Sequence, residues 1–264
     1  MMKVGIYVDA ANVEMNGGYG MRYDVLKNFA AQDDGMVLRA NAYVVVDRER
    51  METDYTYRQR REDYLAKLRK LGYKVIEKEV RRYMSPEGQE STKANADMEI
   101  AVDAMVQSVN LDRIVLVTGD GDFVRLVMAL QNRGCRVVCS GFKNVSRDLV
   151  EIADIYYSGF LIPDLLPRYS EALAEGRRFG YISRWGDKGY GYVSSLVFED
   201  GRLTEREYYC HISWVDRRFQ EKFQGPDLVR NTLISFVPEK NPSEEYRDQE
   251  IASNVKIEET GLYI

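Results

Sequence analysis

The stretch that decides the fold is Arg113-Ile-Val-Leu-Val-Thr-Gly-Asp-Gly-Asp-Phe123. Its residues 114–117 are apolar and mostly β-branched, and an apolar-periodic stretch over residues 123–132 follows. This pattern predicts a buried parallel strand that leads through Asp120 and Asp122 into a helix. Open α/β sheets bind their ligands at the carboxyl ends of such strands. Two carboxylates this close repel each other, so the expected ligand is a divalent cation.

The composition of the 264-residue chain is that of an ordinary globular protein, with 45% hydrophobic and 30% charged residues. Its net charge of -5 argues against a protein that coats nucleic acid by bulk charge, although local basic patches still bind nucleic acid. His211 is the only histidine. Histidine-ligated zinc sites and Ser-His-Asp hydrolysis are therefore excluded from the first 210 residues. The chemistry that remains there is carboxylate chemistry.

The cysteines and the hydropathy pattern predict a cytoplasmic protein. The chain has three cysteines, an odd number that indicates a reducing compartment, and Cys135 and Cys139 are expected to be small buried hydrophobic residues. No apolar stretch approaches the ~20 residues that a membrane helix needs. Residues 1–3 lead directly into a predicted strand without a signal peptide. We expect no membrane partner, and the sequence leaves self-association open.

The first 160 residues read as five βα repeats. The predicted strands span residues 3–9, 38–47, 73–80, 113–117 and 135–141, with an edge strand at 154–158. The predicted helices span residues 22–32, 52–71, 123–132 and 146–152, and another helix opens near residue 95. Near-continuous apolar strands in this arrangement predict a three-layer α/β domain with a parallel sheet. Prolines and a polar run then break the pattern, so we predict a domain at 1–162, a linker at 163–177 and a second domain at 178–264.

Further acidic residues stand at strand and helix ends. Asp9 ends the first predicted strand, Asn12 follows it, and Asp97 lies in the first turn of the helix that opens near residue 95. Asp103 comes six residues after Asp97, which at 100° per residue places the two side chains far apart around the helix. Asp97 is therefore the stronger ligand candidate. The helix dipole would explain Asp97 alone, and N-capping would explain Asp122 alone. Neither effect explains four such aspartates, which predict one shared metal site.

A locally basic region lies between residues 48 and 93, with 13 Lys/Arg against 9 Asp/Glu. One interpretation is a solvated helix face, and the other is a basic wall that guides a polyanion toward the acidic cluster. Residues 81–93 are predicted to be a polar loop. The candidates for contacts with a nucleic-acid backbone are Arg58, Arg60, Arg61, Arg81, Arg82 and Lys93.

Aromatic residues and glycines alternate in the second predicted domain, over residues 179–193. Tyr190 and Tyr192 are two residues apart and would share one face of a strand, and Tyr209 and His211 would share the face of a neighbouring strand. Such a surface stacks unpaired bases. The alternative is that these rings pack the interior of a small barrel. Residues 241–247 are predicted to be a loop before a last strand at 252–257.

Three motifs together resemble the NYN domain, especially its LabA-like branch, within the wider PIN-like nuclease group. They are Asp9-Ala-Ala-Asn12, Lys93 with Ala96-Asp97 at a helix start, and Thr118-Gly-Asp-Gly-Asp-Phe123. The first departs from the usual Asp-Gly-x-Asn but keeps both polar residues. The resemblance covers roughly residues 1–160 and implies a sheet ordered 3-2-1-4-5 and an RNase site in which carboxylates hold Mg²⁺ or Mn²⁺. The implied ligands are Asp9, Asp97, Asp120 and Asp122, with Asn12 beside them and Asp103 as the weakest candidate.

Residues 178–260 resemble a cold-shock, OB-type domain. Lys188-Gly-Tyr-Gly-Tyr-Val193 is similar to its first RNA-binding motif, with tyrosines where phenylalanines are usual, and residues 208–213 are similar to the second. The chain departs from that pattern in residues 196–207, which insert between the motifs. The resemblance implies an all-β barrel with a single-stranded nucleic-acid surface. Its candidate RNA-binding residues are Trp185, Lys188, Tyr190, Tyr192, Tyr209 and His211.

These observations predict a metal-dependent ribonuclease that cleaves or processes RNA through its aspartate cluster, with a C-terminal domain that binds single-stranded RNA. The predicted catalytic group is Asp9, Asn12, Asp97, Asp120 and Asp122, with Mg²⁺ or Mn²⁺ as cofactor. The alternative is a catalytically silent RNA-binding or regulatory protein. A phosphatase of the aspartyl-phosphate type is disfavoured, because Ala11 stands where that chemistry needs an acid two residues after Asp9.

Overall fold

The computed structural model of the protein describes residues 1–84, 90–93, 95–224, 232–246 and 248–262. The chain forms two compact units. The first comprises Met1–Tyr19 and Leu26–Tyr156, and the second comprises Gly20–Val25 and Tyr157–Ile264. No helix within the described ranges is both long enough and apolar enough to cross a membrane.

The first unit is built on a six-stranded sheet ordered β3-β2-β1-β6-β7-β8. The strands up to residue 158 are β1 (Met2–Asp9), β2 (Gly35–Val46), β3 (Lys74–Glu79), β4 (Arg81–Met84), β5 (Glu90–Lys93), β6 (Arg113–Val117), β7 (Arg136–Gly141) and β8 (Ile155–Ser158). Strand β1 pairs in parallel with β2 and β6, and the pairs β2–β3 and β6–β7 are also parallel. The parallel sheet and the order expected from the resemblance are confirmed, with β8 as a sixth strand.

Helices connect and cover these strands. They are α1 (Ala10–Met15), α2 (Tyr23–Ala30), α3 (Arg48–Thr53), α4 (Tyr55–Lys70), α5 (Asp97–Gln107), α6 (Val124–Asn132) and α7 (Arg147–Ile152). Helix α5 packs on β1, where Ile100 and Ala104 are fully buried. Every residue of β6 is buried, as its β-branched sequence predicts. The strand that carries the decisive motif therefore lies in the centre of the sheet.

Two predicted elements of this unit differ from the structure. The helix expected at residues 52–71 is present as α4 but begins at Tyr55, because Asp54 has an extended backbone and caps α4 by accepting a hydrogen bond from the Tyr57 N–H at 2.9 Å. Residues 52 and 53 belong to the preceding helix α3. The loop expected at residues 81–93 contains the antiparallel pair β4–β5. The polar composition of this segment suggested a loop, but hydrogen bonds between β4 and β5 pair its backbone N–H and C=O groups. Residues 85–89 lie outside the described residues.

The second unit contains a closed five-stranded barrel ordered β10-β11-β13-β12-β9. Its strands are β9 (Arg178–Gly186), β10 (Tyr190–Glu199), β11 (Arg202–His211), β12 (Leu233–Lys240) and β13 (Glu250–Glu259). Strand β11 meets β13 in parallel, and the other recorded pairs are antiparallel. The barrel interior is filled by buried side chains that include Val193, Tyr208, Ile234 and Phe236. The predicted all-β barrel is confirmed.

Two segments of the second unit are more regular than the sequence indicated. Residues 196–207 do not form a separate loop, because β10 and β11 continue as a paired ribbon with Leu196 opposite Glu205. The ribbon turns at Asp200 and Gly201, which both have positive φ (49° and 77°), as the tight hairpin turns require. The predicted linker at 163–177 contains helix α8 (Pro167–Ala174). Its Pro167 stands at the helix start, where a missing N–H removes no helical hydrogen bond.

Candidate metal centre and nucleic-acid surfaces

The carboxyl ends of β1 and β6 bring the first and third sequence motifs together. Val8 and Val117 are partners in the parallel ladder, so Asp9 and the segment after β6 emerge at the same edge of the sheet. Asp9 is buried and caps α1, with Oδ1 accepting the Asn12 N–H at 3.1 Å. Its Oδ2 accepts the Thr118 hydroxyl at 3.5 Å. Asp9 is therefore held by both motifs.

The segment after β6 is fixed by its own polar groups. The Asp120 carboxylate accepts the Asp122 N–H at 2.9 Å and caps the short 3₁₀ turn Gly121–Phe123. The Asp120 N–H donates in turn to the Thr118 hydroxyl at 3.2 Å. The side-chain oxygen of Asn12 accepts the Gly119 N–H at 2.9 Å. These bonds set the direction in which both aspartates leave the turn.

Helix α5 supplies the third part of the site. Asp97 is its first residue, and its carboxylate Oδ2 accepts a hydrogen bond from Asn95 Nδ2 at 2.6 Å. The Asn95 side-chain oxygen accepts the Asp97 N–H at 2.8 Å. Asn95 therefore orients Asp97, a role absent from the sequence-based prediction. The signal that indicates it is an asparagine two residues before the helix, which favours this local turn.

Three carboxylates converge at this edge of the sheet. One oxygen each from Asp97, Asp120 and Asp122 lies within 4.8 Å of the other two. We call these three residues the acidic group. Carboxylate oxygens are the ligands that Mg²⁺ and Mn²⁺ prefer, so the residues fit such a cation.

The electrostatics of the site also favour a cation. The pKa of Asp9 is raised to about 6, mainly by burial, with smaller contributions from the charges of Asp97 and Asp120. The hydrogen bonds that Asp9 accepts from Asn12 and Thr118 oppose this rise. Burial also raises the pKa of Asp97, with additional contributions from the charges of Asp120 and Asp122. The carboxylates at this edge of the sheet are thus close enough for the charge of one to disfavour ionisation of its neighbours. A bound divalent cation would relieve this repulsion.

Asp103 lies outside the acidic group. Its carboxylate Oδ2 accepts a hydrogen bond from the Tyr43 hydroxyl at 2.8 Å. The six-residue offset between Asp97 and Asp103 accounts for the separation, because it turns the two side chains to different sides of α5. The sequence-based prediction missed Tyr43, since no local pattern links it to a residue 60 positions away.

Comparison with known protein families agrees with this arrangement. The family model described as the NYN domain matches residues 3–163. The chain belongs to the NYN domain family. The match covers both aspartate motifs, helix α5 and all of the six-stranded sheet except Met2, the first residue of β1.

Several solved structures are similar to parts of the chain. A protein of unknown function from Vibrio parahaemolyticus is 27% identical, with a TM-score of 0.47 over 60% of this chain and 92% of its own. The structure titled Sa239 is 13% identical, with a TM-score of 0.31 over 70% and 65% of the two chains. The tetrameric inhibited form of phosphofructokinase-2 from Escherichia coli is 11% identical, with a TM-score of 0.35 over 78% and 79%. No curated protein matches the chain. The family assignment therefore comes from the NYN match.

The predicted basic residues of the NYN domain are in different environments. Arg61 is partly buried, with its guanidinium 5.8 Å from the Tyr57 ring and 3.6 Å from the Glu14 carboxylate. Arg58 lies 5.3 Å from the ring of Tyr55, and Arg60 is exposed on the same helix. Arg58 and Arg60 are therefore the more accessible cations on α4. Arg81, Arg82 and Lys93 lie on β4 and β5, and their side chains lie outside the described part of the structure.

The barrel carries a cluster of aromatic rings on its outer face. Tyr190 pairs across the ladder with His211, and Tyr192 pairs with Tyr209, so the predicted sharing of faces is confirmed. The Tyr209 ring lies 6.0 Å from Tyr190, 5.9 Å from Tyr192 and 5.8 Å from Trp214, and His211 lies 6.0 Å from Trp214. We call this cluster the aromatic platform: Tyr190, Tyr192, Tyr209, His211 and Trp214.

The aromatic platform contains Trp214, which the sequence-based prediction missed, and does not contain Trp185, which it included. Trp214 was missed because it lies in a 3₁₀ turn after β11, where strand alternation gives no signal. Trp185, predicted to bind RNA, is half-buried, and its ring lies 4.9 Å from Phe223 against the barrel core. It also lines a surface pocket with Lys188, Tyr190 and Tyr192, so its role in RNA binding stays a prediction. Lys188 is exposed between β9 and β10. The guanidinium of Arg184 lies 4.4 Å from the Tyr192 ring, so a cation borders the platform.

Proposed function

We propose that the protein is a divalent-metal-dependent ribonuclease whose NYN domain cleaves RNA and whose barrel binds single-stranded RNA. The observation that carries the proposal is the convergence of Asp97, Asp120 and Asp122 within an NYN domain. An acidic group of this kind fits the metal-assisted hydrolysis of a phosphodiester, in which positive charge must face the phosphate.

The residues of the chain have separate roles in this proposal. Asp97, Asp120 and Asp122 would hold Mg²⁺ or Mn²⁺, with the buried Asp9 beside them. When bound, the cation supplies Lewis acidity toward a phosphate oxygen and water. Asn12 holds the Gly119 N–H and so keeps the segment of Asp120 in place. Asn95 does the same for the Asp97 carboxylate.

The barrel supports the RNA-binding part of the proposal. OB-type barrels have five strands in a Greek-key arrangement and bind oligonucleotides on the face of their second and third strands. In this barrel those strands are β10 and β11, and they carry four of the five platform rings. Stacking contributes ~1–3 kcal/mol per base. A strand held there would raise the effective concentration of RNA at the NYN domain of the same chain.

Two further features agree with this assignment. Arg58 and Arg60 extend from α4, which follows the carboxyl end of β2 through α3, and would contact the RNA backbone. The three cysteines are free and buried, which supports the cytoplasm as the working compartment.

The decisive experiment measures cleavage of labelled single-stranded RNA in Mn²⁺ by the full chain, by Asp120→Asn and by Asp34→Asn. Asp34 is an exposed aspartate just before β2, and its positive φ is one that asparagine tolerates well. We expect wild type and Asp34→Asn to cleave alike. Asp120→Asn should lose activity by at least about 100-fold, because even residues that only support a metal ligand contribute up to that much.

Two outcomes would contradict the proposal. Equal cleavage by wild type and Asp120→Asn would assign the activity to another site or to a contaminant. Binding of RNA without cleavage by any variant would support the catalytically silent regulatory protein instead.

A further inference from the structure

Three buried polar side chains of strands β1 and β2 are hydrogen-bonded to two half-buried side chains of helix α5. The Tyr43 hydroxyl donates to Asp103 at 2.8 Å, and the Tyr7 hydroxyl donates to Gln107 Oε1 at 3.1 Å. Asn41 Nδ2 donates to the Tyr43 hydroxyl oxygen at 3.2 Å and to Gln107 Oε1 at 3.3 Å. Tyr7 and Tyr43 are fully buried, and Asn41 is 1% exposed. We call Tyr7, Asn41, Tyr43, Asp103 and Gln107 the α5 clamp.

The clamp and the candidate metal centre share helix α5 and strand β1. In the β1–β2 ladder, Asp9 is opposite Tyr43 and Tyr7 is opposite Asn41. Because side chains alternate along a strand, these four share the face of the sheet that α5 covers. Asp97 begins α5 six residues before Asp103, about 9 Å along the helix axis. The acidic group and the clamp are thus two ends of one helix on one sheet face.

Apolar packing alone does not fix the position of α5. Ile100 and Ala104 are buried against the sheet, but hydrophobic contact has no preferred direction, so it tolerates small rotations and shifts along the helix axis. Hydrogen bonds at Asp103 and Gln107 restrict both movements. Burial raises the pKa of the Tyr43 hydroxyl, and Asp103 raises it further, so Tyr43 remains the donor at neutral pH.

We propose that Tyr43 and Asp103 are positioning residues, which set the place of α5 and thereby hold the Asp97 carboxylate within reach of Asp120 and Asp122. In this assignment Asp103 is an acceptor for Tyr43 and not a metal ligand. The inference rests on the proposed metal site, and it names residues that act on that site through a helix.

The test compares Mn²⁺ affinity of the full chain with four variants. Tyr43→Phe removes the hydroxyl, and with it the bond to Asp103 and the bond accepted from Asn41. Asp103→Asn keeps an oxygen that accepts from Tyr43. Asp97→Asn alters a ligand of the acidic group. Ile114→Val is the matched control, because Ile114 is fully buried in the same core but lies at the amino end of β6 and makes no clamp bond.

We expect Tyr43→Phe to weaken Mn²⁺ binding about 10-fold, the lower range for residues that orient metal ligands. Asp103→Asn should stay within about threefold of wild type, because its amide oxygen replaces the carboxylate acceptor. Ile114→Val should lower stability and leave the affinity unchanged. If Asp103→Asn lost affinity as severely as Asp97→Asn, or if Tyr43→Phe bound like Ile114→Val, the positioning role would be overturned.

Hydrogen exchange of the α5 amides without metal separates this inference from the proposed function. Loss of the hydrogen bond between Tyr43 and Asp103, which ties α5 to β2, should speed exchange at residues 101–107 about fivefold in Tyr43→Phe relative to Ile114→Val. Equal exchange in the two variants would show that the clamp does not hold α5. A wild-type chain that binds no Mn²⁺, with α5 exchange still faster in Tyr43→Phe, would overturn the proposed function and leave the clamp as an anchor of the helix.

Discussion

The side-chain oxygen of Asn12 accepts a hydrogen bond from the backbone N–H of Gly119 at 2.9 Å. This bond joins the turn after β1 to the turn after β6, which carries Asp120 and Asp122. The side-chain oxygen of Asn12 is therefore already engaged in a hydrogen bond within the protein. Asn12 therefore connects the motif that contains Asp9 to the motif that contains Asp120 and Asp122.

Replacing Asn12 by alanine should loosen this junction. We expect the free energy of unfolding to fall by about 1 kcal/mol, the usual net contribution of such a bond, and Mn²⁺ affinity to fall with it. Asn28→Ala on the exposed side of α2 is the control and should change neither quantity unfavourably. Denaturant unfolding and Mn²⁺ titration measure the two effects. An Asn12→Ala protein with wild-type values for both would show that the bond has no such role.

Repulsion among the carboxylates of the acidic group predicts that Asp122→Asn stabilises the metal-free protein. Asp122 is exposed, and its charge contributes to the raised pKa of Asp97. Without metal, removing this charge should raise the melting temperature by roughly 2–4 °C, for about 1 kcal/mol of relieved repulsion. With saturating Mn²⁺ the wild type should have the higher melting temperature, because it binds the ion more tightly and is stabilised more by binding. Thermal melts with EDTA and with Mn²⁺ measure both. A variant less stable than wild type in EDTA would mean that the carboxylates do not repel each other appreciably.

Single-stranded RNA affinity should depend on the aromatic platform. Tyr190→Ala should weaken binding about 10-fold, and Trp214→Ala should have a similar effect, because each removes a ring on which a base stacks. Phe198→Ala is the control, since Phe198 lies on the same strand and is 39% exposed, against 41% for Tyr190. Fluorescence anisotropy with labelled oligonucleotides gives the affinities, and circular dichroism checks the fold. Similar losses in all three variants, or in none, would remove the platform from RNA recognition.

The three thiols should be unreactive in the native protein. Burial raises the pKa of Cys139 and of Cys210 to about 12, and it also raises the pKa of Cys135. A raised pKa keeps a thiol protonated up to a higher pH, so at pH 8 almost no thiolate is available for alkylation. We expect iodoacetamide to modify none of the three before unfolding and all of them in denaturant, as measured by intact mass. Rapid modification of the native chain would show that at least one site opens readily.

The sequence predicted the features that depend on local pattern. The apolar residues of β6 and the aspartates at strand ends indicated the sheet and the edge where Asp9 and Asp120 meet. The hydrogen bond from Tyr43 to Asp103 was not predictable, because it depends on how α5 is rotated against β2. Trp214 was missed for a related reason, since its turn places the ring beside Tyr209 only after the barrel closes. Periodicity identifies elements, but contacts between distant elements follow from packing.

The acidic group takes Asp97 from the start of one helix, and Asp120 and Asp122 from the turn after the next strand. A protease that cut between α5 and β6 would leave the two halves of the ligand set on different peptides. For the proposed metal site, such a cut should release bound manganese, so its retention on a desalting column would report whether a preparation is intact and natively assembled.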